Sequence, residues 1–120
     1  MYAKVGLMTH EAIFNWDSIK DAYQKIGVKV VDGVNMQLIW ARYEPGVPYV
    51  LHSHPHEQFS FMLSGKMNLT VGNLTKEISE GDMWHAPPNV IHGGEVLGDE
   101  PAIFVDLYSP PNPKLAGLSD

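Results

Sequence analysis

His52 and His54 stand two residues apart in GVPYVLHSHPHEQFSFMLSG, the segment from Gly46 to Gly65. Side chains alternate faces along a strand, so both imidazoles project the same way, with Cα atoms roughly 7 Å apart at about 3.3 Å of rise per residue. Rings so placed can lean onto one cation with bonds of about 2 Å. Gln58 keeps the same parity beyond the Pro-His-Glu corner, where a hairpin would return its amide oxygen to the same point. His92 closes the stretch GDMWHAPPNVIH. A single buried histidine is usually a hydrogen-bonded core residue. Two at i and i+2, an amide in phase and another histidine in a Gly/Pro-framed hairpin favour a metal site in the mouth of a small β-barrel. A register through Glu57 would break the parity with His52 and His54. His56, in the corner, is expected in solvent, and either Trp84 or His85 could face the pocket.

Asp106 interrupts AIFVDLY, which otherwise reads as a buried strand. A carboxylate there is costly unless it is paired or useful. Facing the metal pocket with Tyr108, which shares its parity, it would be pushed by burial towards the range where it gives and takes protons. At an edge it would be solvated or bonded to a turn. Arg42 is the one arginine of the chain. It either holds a substrate carboxylate from a barrel strand or lies on the solvated face.

The elements that must position these residues are short. Val28 to Val31, the Asp32-Gly33 turn and the run VNMQLIWARYE form a first hairpin. In that run Met36, Leu38, Trp40 and Arg42 share one face, and Gln37, Ile39, Ala41 and Tyr43 the other. YVLHSH, QFSFMLSG, KMNLTVG, LTKEIS, DMWHA, VIHGGEV and PAIFVDLY follow, punctuated by Gly, Pro and Asn turns. Many short strands without a long helix predict an all-β antiparallel barrel or jelly roll. Residues 1 to 27 are expected as an N-terminal arm of the same domain, with Asp17-Ser18 capping a short helix through Ile19, Tyr23 and Ile26. Residues 28 to 120 are the barrel and its proline-rich tail. Phe59, Phe61 and Leu63 alternate with Gln58, Ser60 and Met62, so an inward Gln58 puts three large apolar groups outside. The arm or a second subunit must cover them, and a homodimer is expected.

The chain has 120 residues, 44% hydrophobic and 18% charged, as in an ordinary globular domain. With no cysteine, disulfides and thiolate metal sites are excluded. A net charge of −6 argues against nucleic acid and anionic membrane surfaces as partners. Met1 is followed by no basic-then-apolar leader, so a cytoplasmic address is expected.

The Gly46–Gly65 segment resembles the first cupin motif, G-x5-H-x-H-x3-E-x6-G, with every spacing kept and Gln58 at the glutamate position. GDMWHAPPNVIH resembles the second, G-x5-P-x-G-x2-H, with Asn89 at the second glycine, and Asn tolerates the same left-handed backbone. The resemblance implies a single-domain cupin barrel whose ligands to one divalent ion (Zn, Ni, Mn or Fe) are His52, His54, Gln58 and His92. HPHEQFSFMLSG with VDLYSPP further resembles the small dimeric cupins that linearise unsaturated uronates in pectin and alginate breakdown. On that pattern Asp106 is the catalytic residue, while Asn112, with Lys114 nearby, replaces an arginine that would hold a carboxylate. Substrate contacts are expected from Tyr108, Arg42, Met62, Ser60 and Trp40. Three neutral imidazoles and a neutral amide would leave the ion's charge uncancelled, which suits Lewis-acid chemistry better than a two-histidine, one-carboxylate iron site. The expected function is isomerisation, ring opening or tautomerisation of a small, polar, carboxylated or sugar-derived substrate. A dioxygenase on the same ligands, or a non-catalytic metal- or ligand-binding cupin, are the alternatives.

Overall fold

The computed structural model describes residues 12–19, 21–23 and 27–115. The opening YAKVGLM, expected as an arm, lies outside them. The short helix expected from Asp17 does not form. Trp16–Ser18 make one 3-10 turn, and the side chain of its cap, Asn15, accepts a hydrogen bond from the Asp17 amide at 2.9 Å. By Ile19 the backbone is already extended (φ −93°, ψ 127°), and Asp21–Tyr23 becomes strand β1. Two turns of helix cannot outweigh the cost of starting one. Here the turn is anchored instead by tertiary contacts: Lys29 Nζ donates to the Trp16 carbonyl at 2.8 Å, and Trp16 packs against Trp40 with ring centres 6.3 Å apart.

The remaining strands fall where the turn signals separate them. They are β2 (Val28–Asp32), β3 (Gln37–Tyr43), β4 (Tyr49–His52), β5 (Glu57–Ser64), β6 (Lys66–Val71), β7 (Leu74–Ser79), β8 (Met83–Ala86), β9 (His92–Leu97) and β10 (Ala102–Ser109). They pair antiparallel in a six-stranded sheet, β1-β2-β3-β10-β5-β8, and a four-stranded sheet, β4-β9-β6-β7. This is an all-β antiparallel jelly roll, and the core lies between the two sheets. One sheet contributes Val30, Ile39, Ala41, Met62, Trp84 and Phe104. The other contributes Tyr49, Met67, Leu69 and Ile78. No helix among the described residues is long and apolar enough to cross a membrane.

Inward alternation on β5 and β10 brings polar side chains into this core. Gln58 and Ser60 on β5, and Asp106 on β10, are buried. Asp106 and Ser60 are cross-strand partners, as are Tyr108 and Gln58. The register is held at the opposite end by the turn from β5 to β6. Gly65 adopts φ +83° there, and a Cβ on it would fall onto the Pro101 carbonyl and the Ala102 backbone. Gly65→Ala should therefore lower stability by about 2 kcal/mol or more. Urea unfolding should show this as an earlier midpoint, and an unchanged midpoint would mean that this turn does not constrain the barrel.

Candidate metal centre

Antiparallel pairing of β4 with β9 places His52 directly opposite His92. His54 lies two residues beyond β4, before the chain turns into β5. The three rings converge, with centres 4.3 Å (His52–His92), 4.8 Å (His54–His92) and 5.6 Å (His52–His54) apart. One nitrogen from each lies within 4.8 Å of the others, so these three histidines can hold a metal ion. The other nitrogen of each ring is engaged. Nδ1 of His52 bonds the Val50 carbonyl at 2.7 Å, that of His54 the His56 carbonyl at 2.9 Å, and that of His92 the Val90 carbonyl at 3.0 Å. A carbonyl only accepts, so each Nδ1 carries the proton and each Nε2 presents a lone pair. His92 Nε2 is buried without any hydrogen-bond partner. An orphaned acceptor of this kind is what a cation would satisfy.

Gln58 joins the same point from β5. Its Oε1 lies 3.1 Å from His54 Nε2, while its Nε2 donates to Ser60 Oγ at 2.9 Å. Ser60 in turn donates its single hydroxyl proton to Asp106 Oδ1 at 2.5 Å. That direction turns the amide nitrogen towards Ser60 and the amide oxygen towards His54. With the His54 proton on Nδ1, an oxygen and a bare nitrogen then face each other. A positive ion between them would relieve that repulsion. The donor set of three neutral imidazoles and an amide oxygen fits a borderline divalent ion.

Burial sets the protonation states. It lowers His92 to about 4, against an opposing bond to the Val90 carbonyl, and the neighbouring His52 and His54 lower it further. His54 is lowered as well, again chiefly by burial. Both rings are thus kept neutral, as a ligand must be. Burial raises the Asp106 carboxyl from 3.8 to about 7, against the Ser60 hydroxyl and the Gln58 amide, which favour its ionised form. Burial, then the Asp106 charge, raises Tyr43 to about 12 and lifts Tyr49 and Tyr108 too, so all three stay protonated.

A cavity of about 350 Å³ opens beside His52, and Asp106 and Tyr108 also line it. Tyr108 is clasped between rings, with His54 at 4.7 Å and His56 stacked at 6.1 Å and 13°. The other residues expected to touch substrate are placed elsewhere. Trp40 and Arg42 are on the outer face of β3, because Gln37, Ile39 and Ala41 take the inner one. There Arg42 Nε pairs with Glu44 at 2.9 Å in a half-exposed bridge. Met62 is packed in the core opposite Phe104, away from the cavity. Ser60 is fully buried and bonds Gln58 and Asp106, which makes it a positioning group. His56 is also buried, at 9% exposure, because its ring stacks on Tyr108. Of the alternating pair, Trp84 faces inward and His85 outward. His85 bonds Glu57 at 2.7 Å, which removes Glu57 from the histidine cluster. Asn89 adopts φ +67°, as expected for its place in the hairpin. Tyr43 and Tyr49 were missed as cavity residues. For Tyr43 the available signal was its parity with Ala41, whereas Tyr49 has the opposite parity to His52 and shares the site only because the pairing of β4 with β9 shifts register between them.

Comparison with known proteins agrees with this geometry. The family model for the cupin domain matches residues 39–108. An RmlC-like cupin from Shewanella frigidimarina superposes with a TM-score of 0.79 at 20% identity, covering 88% of this chain and 96% of that one. KdgF from Halomonas sp. superposes at 0.77 and 22% identity, covering 87% and 99%. At that identity the likeness shows the fold alone. The H2HPP isomerase of Bacillus subtilis is 33% identical over 57 residues, 47% of this chain and 24% of the relative. The chain spans less than a quarter of the length of the curated relatives it matches.

The raised Asp106 pKa has a sign that can be measured on metal-free protein. Its folded value of about 7 exceeds the ordinary 3.8. The resulting cost to stability is therefore absent below pH ~4, grows as pH rises and is complete above pH ~7. Asn at this position still accepts from Ser60 and has nothing to ionise. Asp106→Asn should then be more stable than wild type at pH ~8, by on the order of 2–4 kcal/mol, with the gain vanishing near pH ~4. The depressed His92 value acts the opposite way, destabilising as pH falls from about 6.5 towards 4, but it is common to both proteins and cancels. Equal stabilities at pH ~8 in chemical denaturation would contradict the buried-carboxyl assignment.

Proposed function

The chain belongs to the cupin domain family, and from that premise we propose that it is a metal-dependent enzyme that isomerises or tautomerises a small carbonyl compound. The observation that carries this reading is that Asp106, a buried carboxyl bonded to Ser60, lines the same cavity as His52, with burial pushing it up to about 7. His52, His54, His92 and Gln58 would hold one divalent ion, which supplies Lewis-acid polarisation to substrate oxygens. Near neutral pH both forms of Asp106 are populated, so it can take a proton from the carbon next to a carbonyl and return it to another carbon. Such a transfer moves a double bond and needs no oxidant or other reactant. Ser60 orients the carboxylate by donating to it, and the Tyr108 ring, clasped by His54 and His56, fixes the adjacent wall. The isomerase among the relatives supports the same class of reaction. The uronate-linearising pattern is weaker at its carboxylate clamp. Asn112 is tied into a turn instead: its amide donates to Gln37 Oε1, and its side chain accepts from the Lys114 amide.

We also propose a homodimer, a reading supported by the outward face of β5 and β8. Phe59, Leu63 and Met83 are 52%, 42% and 68% exposed there, large apolar side chains on neighbouring strands of one sheet. Sedimentation should show a dimer that Phe59→Glu with Met83→Glu converts to monomer. A monomeric wild type would contradict it.

The reaction is tested by proton exchange. Metal-loaded protein in D₂O should exchange the hydrogens next to the carbonyl of an enolisable 2-oxo acid, followed by NMR. Asp106→Asn should lose about 100-fold or more of that rate while keeping its metal. An unchanged rate would remove Asp106 from the chemistry.

A further inference from the structure

Gln37 is fully buried, yet it takes no part in the chemistry above. Its Nε2 donates to Asp32 Oδ1 at 2.8 Å and to the Asn112 carbonyl at 3.3 Å, and its Oε1 accepts from the Asn112 amide at 3.2 Å. Both donors and one acceptor site of the side chain are therefore used. Two of these bonds meet the N–H and C=O of a single residue, so Gln37 receives the chain beyond β10 as a neighbouring strand would. Pro110, Pro111 and Pro113 offer no amide proton, which leaves Asn112 to make that attachment. Asn112 then turns the chain. Its side chain accepts from the Lys114 amide at 3.0 Å, and its carbonyl also accepts from the Leu115 amide at 3.0 Å.

That turn delivers Leu115 to the cavity beside His52. The lining draws on both sheets, with Val28, Ile39 and Ala41 from β2 and β3, and Tyr49 and Val50 from β4. β4 ends its sheet and bonds only β9, so no ladder joins it to β2 or β3. Leu115 belongs to neither sheet, is half-buried and packs against the core. Between it and Asn112, Pro113 and Lys114 are exposed. Parting the strands around the cavity would break whole ladders. Releasing residues 112–115 breaks two neutral hydrogen bonds and exposes one leucine, so local opening favours this segment. We infer that residues 112–115 are a strap across the cavity, that buried Gln37 is the positioning residue that latches it, and that small molecules enter when the latch releases. This holds whatever reaction the cavity houses.

The chain has no cysteine, so a single introduced thiol reports access. Val28→Cys places one on the buried lining, and Ile78→Cys places one in the core outside it. Modification by a small aromatic disulfide reagent is followed by absorbance. Gln37→Ala should quicken the reaction at Val28→Cys about 10-fold or more, because both bonds to the strap are lost. Asn112→Pro withdraws one amide from the half-buried strap without touching the core, and should quicken it about 5-fold. Ile78→Cys should react equally slowly in all three backgrounds. A Val28→Cys rate unchanged in either variant would overturn the inference. So would a matching rise at Ile78→Cys, which would mark loosening of the whole barrel and not of a strap.

Discussion

Three backbone carbonyls decide what this barrel can do. Val50, His56 and Val90 each receive the Nδ1 proton of a histidine, and this fixes all three rings in one tautomer with Nε2 facing a common point. Free imidazoles would rotate and share protons with water. Here the carbonyls belong to the same short strands and corners that carry the rings, so folding and tautomer selection are one event. The cost is visible in His92, whose Nε2 has no partner and whose protonation is suppressed by burial. A cation at the centre would convert that deficit into binding energy.

The only buried carboxyl near the cluster among the described residues reaches it through two side chains, Ser60 and then Gln58. This separation matters chemically. A carboxylate bound directly to the ion would neutralise part of its charge and hold no proton. Asp106 stays close enough to feel the site, yet is held near neutrality because burial outweighs the opposing influence of the Ser60 hydroxyl and the nearby Gln58 amide. The same burial is a standing cost to the fold, as expected of a group retained for function and not for stability.

How much of this was legible in the sequence depended on whether alternation had one answer. On β5 it did: Gln58, Ser60 and Met62 must share a face, and that face is the core. Asp106 likewise announced itself as a charge in an apolar run. On β3 both faces carry apolar residues, since the outer one is partly covered by Trp16. Parity alone therefore could not show that Gln37, bonded to buried Asp32 at 2.8 Å, points inward and Arg42 outward. His56 sits in a corner with no period to read, and only the packed structure shows it stacked on Tyr108. The short N-terminal helix failed for a different reason, because local capping signals yielded to pairing with β2.

The central claim is that three imidazoles and one carboxamide from separate elements close on a single divalent ion. X-ray absorption on the zinc-loaded protein tests it most directly. The account predicts one ion per chain with three imidazole nitrogens at about 2.0–2.1 Å and an additional oxygen neighbour, with one imidazole lost in His92→Ala. Fewer than three imidazoles in the wild type, or a spectrum unchanged in that variant, would contradict it.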